Sequence, residues 1–546
     1  MALLDIESLS LSIGRKPILR SLSFSLEAGR ILGLAGMSGS GKSQTLLSIV
    51  RLVDGAARLS GSIRLDGVAL EACSEAELCT IRGRDIGMVF QEPLTALDPI
   101  MTVGEQIIET VRLHTRLSRT QVREVALQAL ALVELPASYL SSKRYPHELS
   151  GGQRQRLAIA MAIALKPKLL IADEPTASLD ATTQTAILAL LRRLVRNEGM
   201  GLLLVSHDLT ALASIADDMA ILHDGEIIER GETLSLLDRP RHPYAQSLVA
   251  AAALPPFHRN GGPDKEAPPI LEARDIRCTY PKPRSAFWKK RQSMLAVDGV
   301  GLTLRSGEIL GIVGESGSGK STLVRRLLAL APPQGGEVRI GGEVFPSRDR
   351  AGTRRLRGRI QVVFQDPYGS FDPRWRIEDV VAETLGLRGA PVSRAERRHL
   401  VEAALTAVGL DAAHADRLPH QFSGGQRQRI AIARALIIKP DVIALDEATS
   451  ALDPSSKAQI LALLTELVRQ SGTSLLFVSH DMAAVRSVAD RVMVMKDGRV
   501  VETGETADVF NHPHHPYTMA LLASAPPLDR VLSARRAATR QEETCP

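Results

Sequence analysis

ILGLAGMSGSGKS, Ile31–Ser43, decides the fold, and ILGIVGESGSGKS, Ile309–Ser321, repeats it. In each copy a short apolar run ends in glycine, the pattern of a parallel strand buried on both faces. A glycine-rich turn follows, and a helix is expected to begin at Lys42 and again at Lys320. The turn fits GxxxxGK[ST], which needs its glycines because backbone N–H groups must close around phosphate oxygens and a side chain would block that approach. The following helix adds its positive N-terminal end. The candidate phosphate contacts are therefore Gly36, Met37, Ser38, Gly39, Ser40, Gly41, Lys42 and Ser43, and Gly314, Glu315, Ser316, Gly317, Ser318, Gly319, Lys320 and Ser321. Lys42 and Lys320 supply point charges for β- and γ-phosphates; Ser43 and Ser321 supply a hydroxyl for Mg2+.

The repeat extends far beyond these loops. Gly36 and Gly314 lie 278 residues apart, while LSGGQRQR at Leu149 and FSGGQRQR at Phe422 are separated by 273. LLIADEPTASLD, ending at Asp180, VSHD at Val205 and HPY at His242 all recur at the offset of 273. An ordered set of motifs appearing twice means duplication of a whole domain rather than a short solenoid unit. LPPFHRNGGPDKEAPP, from Leu254 to Pro269, is rich in Pro and Gly and reads as the join. The first domain is thus expected over 1–254, a linker over 255–269, the second domain over 270–527 and a disordered tail over 528–546. Pro281–Met294 is a basic interruption with two aromatics, read as a solvated hairpin insertion with a membrane-touching loop as the alternative. Mostly helical patterns between Gln91 and Leu149, and between Gln365 and Phe422, suggest a helical insert in each half.

Composition narrows the class. Apolar residues make up 44% and charged residues 23% of 546, the balance of a globular protein of several domains. Aromatics at 3% leave little for base-stacking surfaces. The formal charge of +6 and the pI of 9.2 fit attraction to nucleotide, anionic membrane or nucleic acid, and select none of them. No stretch approaches the roughly 20 apolar residues of a membrane-spanning helix, and the N-terminus does not read as a secretory signal. A cytosolic chain is expected, with any membrane role exerted through partners. Cys73, Cys79, Cys278 and Cys545 match no metal-ligand spacing and read as ordinary thiols.

Further candidate chemistry follows from strand ends. KLLIADE and DVIALDE end in adjacent carboxylates, whose burial is costly without a cation or hydrogen bonds. Asp173 and Asp446 are assigned to Mg2+, and Glu174 and Glu447 to the attacking water, as general base or water-positioning groups. His207 and His480 are expected to contact the γ-phosphate and its developing charge. Gln91 and Gln365 follow strands and could reach Mg2+ or the lytic water. The SGGQ motifs, Ser150, Gly151, Gly152 and Gln153 with Ser423, Gly424, Gly425 and Gln426, open helices and form a second anion-binding terminus in each half. A nucleotide needs only one such grip from each side, so each SGGQ is read as serving the nucleotide held by the other half.

These motifs, in this order, resemble the ATP-binding cassette family across nearly all of both halves. The resemblance implies an α/β fold of two tandem P-loop cassettes, each with a helical subdomain and a short C-terminal extension. It also implies two head-to-tail composite ATP sites, with Asp180 and Asp453 as D-loop residues. One site would pair Lys42, Ser43, Gln91, Asp173, Glu174 and His207 with Ser423, Gly425 and Gln426. The other would pair Lys320, Ser321, Gln365, Asp446, Glu447 and His480 with Ser150, Gly152 and Gln153. Tyr280 sits where the family stacks an aromatic on adenine, whereas the first half has Ile13 there. RPRHPYAQSLVAAAALP and HPHHPYTMALLASAPP look like the extensions of importer ATPases for oligopeptides, dipeptides, glutathione and nickel, and the fused arrangement is similar to microcin C/peptide and glutathione importers.

The implied role is the energy-coupling ATPase of a bacterial peptide-type importer, peripheral at the cytoplasmic face of the inner membrane. Its expected partners are two membrane-spanning permease subunits, acting through grooves beside Gln91 and Gln365, and an extracytoplasmic substrate-binding protein. A tandem-cassette factor acting on ribosomes or DNA is the competing class. The short Pro-rich linker, the lack of zinc spacings and the absence of sustained heptads count against it. No nucleic acid, zinc or iron–sulfur cluster is expected, and peptide, glutathione, peptide-antibiotic and nickel cargoes remain open.

Overall fold

A computed structural model describes residues 2–177, 179–254, 266–281, 293–330, 334–346, 349–388, 392–450 and 452–544. The chain divides into two compact units, Met1–Ala253 with Asp453–Ser455 and Pro526–Pro546, and Leu254–Leu452 with Ser456–Ala525. Most of the linker (255–265) and of the basic insertion (282–292) lies outside the described residues.

In the first unit β1 (Ala2–Ile13) and β2 (Lys16–Glu27) form a hairpin that leads into β3 (Ile31–Ala35) and α1 (Lys42–Ile49). Then come β4 (Ala57–Leu65), β5 (Val68–Ala69), α2 (Glu75–Ile81) and β6 (Ile86–Val89). The helical insert holds α3 (Pro93–Ala96), α4 (Val103–His114), α5 (Arg119–Leu132) and α6 (Gly151–Ile163). The chain returns through β7 (Leu169–Asp173), α7 (Ala181–Glu198), β8 (Gly201–Ser206), α8 (Leu209–Ile215), β9 (Asp218–His223) and β10 (Glu226–Glu232). It ends in α9 (Thr233–Asp238) and α10 (Pro243–Ala252).

Two sheets result among the described residues: an antiparallel one in the order β2-β1-β4-β5, and a core sheet in the order β10-β9-β3-β8-β7-β6. All core pairings are parallel except β9 with β10. Every residue of β3, β7 and β8 is buried, as their unbroken apolar runs predict for strands covered on both faces. Helix starts are written into the sequence as well. Thr102 and Ser118 each cap a helix of the insert through a capping box with Glu105 and Gln121.

The second unit repeats this plan. β11 (Pro269–Pro281), β12 (Ser293–Arg305), β13 (Ile309–Val313), α11 (Lys320–Leu327), β14 (Glu337–Ile340) and β15 (Glu343–Phe345) come first. Then follow α12 (Arg350–Arg359), β16 (Ile360–Val363), α13 (Ile377–Ala382), α14 (Arg394–Ala407), α15 (Gly424–Leu436) and β17 (Val442–Asp446). The rest is α16 (Pro454–Ser471), β18 (Ser474–Val478), α17 (Met482–Arg486), β19 (Arg491–Lys496), β20 (Arg499–Glu505), α18 (Thr506–Asn511) and α19 (Pro516–Ser524). The sheets again run β12-β11-β14-β15 and β16-β17-β18-β13-β19-β20.

One expectation is corrected. The tail from 528 onward is not disordered but forms α20 (Leu528–Thr544), which groups with the first unit. Leu528, Val531 and Leu532, spaced i, i+3 and i+4, are buried in the first unit's core beside α8 residues Leu212 and Ala213. That spacing is a helical stripe, but the surrounding Arg residues lower the segment's apolarity and mask it.

Candidate functional site

Parallel strands order the site before any side chain is considered. In each core sheet the phosphate loop follows the central strand, and the carboxylates, histidine and glutamine follow its neighbours on one side. All emerge from the carboxyl ends of parallel strands, where open α/β sheets bind ligands.

The phosphate loops are built as the motif requires. A side chain at Gly36 would meet the Leu222 carbonyl at 2.4 Å, and one at Gly314 would meet that of Met495 at 2.3 Å. Gly41 and Gly319 take φ of 106° and 102°, a region that favours glycine, and open α1 and α11. Lys42 is buried, with Nζ donating to the carbonyls of Gly36 and Met37 at 2.8 and 2.9 Å. Lys320 Nζ does the same with Gly314 and Glu315 at 2.7 and 2.9 Å. Burial pushes the Lys42 ammonium down, against the pull of Glu174 and Asp173.

The carboxylates converge on this lysine. Burial raises Asp173, opposed by a hydrogen bond from Ser43; Asp173 Oδ1 is buried and has no hydrogen-bond partner. Asp446 is likewise raised by burial, and Ser321 Oγ donates to its Oδ1 at 3.1 Å. Glu174 and Glu447 sit one residue on, with φ of 45° and 52°. A left-handed non-glycine backbone is strained, and such strain clusters at functional sites. Burial pushes Glu174 up, but His207, Lys42 and Gln91 together hold it below the usual carboxylate range. His207 Nδ1 lies 3.0 Å from Glu174 Oε1, and Gln91 Nε2 donates to Oε2 at 3.0 Å. In the second unit the His480 hydrogen bond, at 3.5 Å, is what most holds Glu447 down. No glutamine hydrogen bond joins Glu447 among the described residues.

The histidines are placed by their neighbours. Asp208 and Asp481 cap α8 and α17, and their N–H groups donate to Ser206 and Ser479 at 3.0 Å. Each histidine is thereby held between a strand end and a helix start.

Several other expected site residues make local contacts of their own. Ser150 and Ser423 cap α6 and α15, each in a capping box with Gln153 or Gln426, so these hydrogen bonds stay within the turn. Gly152 packs so closely on Thr183 that a Cβ would lie 2.5 Å from its methyl. Asp180 caps α7 by accepting from Thr183 N–H at 2.9 Å. Ile13 and Tyr280 are both partly exposed near strand ends; the left-handed residues Ser8 and Asp275, five positions earlier in each, mark them as equivalents.

One feature of the site went unassigned in the sequence. Tyr244 and Tyr517, of the HPY repeats, place their hydroxyls against the phosphate loops of their own units: Met37 N–H donates to Tyr244 at 3.1 Å and Glu315 N–H to Tyr517 at 3.0 Å. The signal was the recurrence of HPY at the offset shared with the catalytic motifs.

Comparison with known proteins agrees with this geometry. A profile described as ABC transporter matches residues 19–177 and 297–450, and one described as oligopeptide/dipeptide transporter, C-terminal region, matches 228–285 and 501–545. The chain is 42% identical over 540 residues to the glutathione import ATP-binding protein GsiA of Escherichia coli O157:H7, covering 93% of this chain and 86% of that one. It is 43% identical over 506 residues to the peptidoglycan transport ATP-binding protein YejF of Agrobacterium fabrum, covering 92% of each. Among solved structures, a dimeric bacterial ABC transporter cassette is 30% identical, with a TM-score of 0.39, covering 43% of this chain and 99% of that one. The matched spans contain both phosphate loops, both carboxylate pairs and both HPY turns, and the chain belongs to the ABC transporter family as a double-cassette ATP-binding ATPase.

Proposed function

We propose that this chain is the energy-coupling subunit of a bacterial importer for peptides or glutathione, with an ATP site on the phosphate loop of each cassette. The observation that carries the reading is the cluster found twice: a buried lysine on a phosphate loop, an aspartate paired with the loop serine, and a glutamate held by histidine. The extensions matched to the oligopeptide/dipeptide C-terminal region, and the relatives named for glutathione and peptidoglycan transport, support this cargo class over nickel. No helix among the described residues is long and apolar enough to cross a membrane, so permease subunits would supply the channel. Apolar side chains beside Gln91 favour such a partner: Phe90 and Leu94 are exposed, and Ile100 is 83% exposed. A location at the inner face of the cell membrane follows from that partnership, with an extracytoplasmic protein delivering substrate.

The residues fit a small divalent cation. Asp173 Oδ1 is buried without a partner, burial raises both aspartates, and each has a serine hydroxyl beside it. Asp173, Ser43 and Gln91, with Asp446, Ser321 and Gln365, would hold Mg2+. Bound there, Mg2+ supplies charge neutralisation to the phosphate oxygens. The chain's own groups do the rest. Lys42 and Lys320 exchange loop carbonyls for phosphate oxygens. Glu174 and Glu447, kept ionised by their histidines, orient a water and accept its proton. His207 and His480 then face the charge that develops on the terminal phosphate. Ser150 to Gln153 and Ser423 to Gln426 cap α6 and α15, so each cassette also carries a helix N-terminus suited to an anion.

Glu174→Gln and Glu447→Gln are each expected to retain ATP, lower hydrolysis by about 100-fold or more at the altered site, and stop uptake. Phosphate release from the purified complex measures this, and full turnover in the double variant refutes the assignment. Purification from membranes should bring down two polytopic proteins; ribosomes or DNA in their place would overturn the transport reading.

A further inference from the structure

The HPY turn is built to hold a tyrosine hydroxyl at one fixed point. In the first cassette the Glu229 carboxylate, on β10, accepts the N–H groups of Arg241 and His242 at 2.9 and 3.2 Å, which clamps the turn. His242 Nδ1 accepts the Tyr244 N–H at 3.1 Å, and Pro243 opens α10. The second cassette repeats each contact. Glu502 accepts from His514 and His515 at 2.8 and 3.1 Å, and His515 Nδ1 accepts from Tyr517 N–H at 3.1 Å. Packing of the extension on its own cassette would need none of this polar precision.

The hydroxyl meets a particular peptide unit. Met37 N–H and the Gly36 carbonyl are the two ends of one peptide plane: the N–H donates to Tyr244, and the carbonyl accepts from Lys42 Nζ. Glu315 N–H and the Gly314 carbonyl stand in the same relation to Tyr517 and Lys320. A peptide fixed at both ends cannot flip. When the lysine turns to phosphate, its end of the plane is released and the tyrosine end remains.

We propose that Tyr244 and Tyr517 are positioning residues for ATP, holding the first peptide of each phosphate loop in its binding conformation after the lysine leaves it. This rests on the reading that Lys42 and Lys320 contact phosphate. It makes each C-terminal extension part of the nucleotide site of its own cassette, so that a shift of β10 or β20 would reach the loop through Glu229 or Glu502. The ring environments differ between the copies: Tyr244 stacks on His223 with centroids 3.9 Å apart, and Lys496 lies 4.8 Å above Tyr517. Phenylalanine preserves either ring contact and removes only the hydroxyl.

The test compares Tyr244→Phe with Tyr517→Phe, singly and together, in the full chain, titrated with a fluorescent ATP analogue and assayed for hydrolysis. Loss of one neutral hydrogen bond weakens binding by about three- to tenfold per site. The expected result is a rise of that size in Kd and KM, kcat within about twofold, and faster amide exchange in the phosphate loop. Tyr→Ala variants, which lose the ring too, provide the comparison. If the Phe variants match the parent while the Ala variants weaken, the tyrosines serve packing alone and the proposal is overturned. Lys42→Ala and Lys320→Ala separate the two readings. Unchanged nucleotide affinity in the lysine variants sinks the phosphate-contact reading itself. Weakened lysine variants beside unchanged Phe variants sink only the tyrosine proposal.

Discussion

In the first cassette Arg30, just before β3, reaches Asp218 of β9 at 3.0 Å; at the same corner of the second, Glu308 faces Arg491 of β19 at 2.7 Å. The repeat has kept the link and exchanged its charges. Surroundings differ more than polarity does. The first pair is partly exposed on both sides, at 42% and 33%, whereas Glu308 is fully buried and Arg491 only 22% exposed. Glu308 also accepts the Arg305 N–H at 2.7 Å, so its carboxylate is held from two directions. An exposed pair is screened by water and contributes about 0–1 kcal/mol. A buried charge that loses its partner is left uncompensated, at about 3–5 kcal/mol. The two corners therefore look alike on a contact map and should behave differently when cut.

Arg491→Ala is the sharpest way to break the comparison. It is expected to destabilise the second cassette by about 3–5 kcal/mol, while Asp218→Ala, its counterpart, costs the first about 1 kcal/mol or less. Both tryptophans, Trp288 and Trp375, belong to the second half of the chain, so their fluorescence during urea unfolding follows that half. Amide exchange along β9 follows the other. Equal losses would show that burial is not what separates the corners.

A second matched position sharpens the contrast with a smaller effect. Gln184 donates to Asp208 at 2.9 Å, and Lys457 to Asp481 at 2.8 Å, beside His207 and His480 respectively. Burial pushes Asp481 up, but the charge and hydrogen bond of Lys457 override it and hold the carboxyl at about 2, below its ordinary 3.8. A carboxyl depressed in the folded state adds stability above its unfolded value and loses it as pH falls. Here the contribution is complete above about pH 4 and fades toward pH 2, amounting to about 2 kcal/mol. Lys457→Gln installs the first cassette's residue. The expected outcome is a loss of about 2 kcal/mol at pH 7 that shrinks at pH 3, read by tryptophan fluorescence. A loss of equal size at both values would remove the ion pair as its cause.

Why some of this was legible in advance, and some was not, follows from how far apart the interacting residues lie in sequence. The phosphate loops, buried strands and carboxylate pairs were readable because each is a local run whose spacing carries its own physics. Gln91, Glu174 and His207 were readable as candidates through their repetition, but that two of them grip one carboxylate depends on strand order, which joins 91 to 174 and 174 to 207. The exchanged corner was hidden because Arg30 and Asp218 are unremarkable separately, and their pairing spans most of a domain. Tyr244 stayed an unexplained letter of a repeated motif because its partner is a backbone N–H, which no side-chain pattern announces. The tail misled for a different reason: its apolar stripe is short and its partner, α8, lies over 300 residues away.

That last helix offers the mildest test, and it touches one cassette alone. Arg535 Nη1 donates to the carbonyls of Ala213 and Ala216 at 2.9 and 2.6 Å, at the C-terminal end of α8, where a cation meets the negative end of the helix. Burial pushes this guanidinium down, so its hydrogen bonds and the helix end must offset a desolvation cost. Arg536 pairs with Asp238 nearby. Arg535→Ala is expected to weaken α8 by about 1 kcal/mol, seen as roughly fivefold faster amide exchange over Leu209–Ile215 with α17 unchanged. The helix begins at Asp208, next to the histidine that holds Glu174. If loosening spreads to that end, hydrolysis at the first site should fall in step with the exchange. Exchange that rises only near Ala216, with hydrolysis unchanged, would make α20 a stabiliser of the first cassette and nothing more.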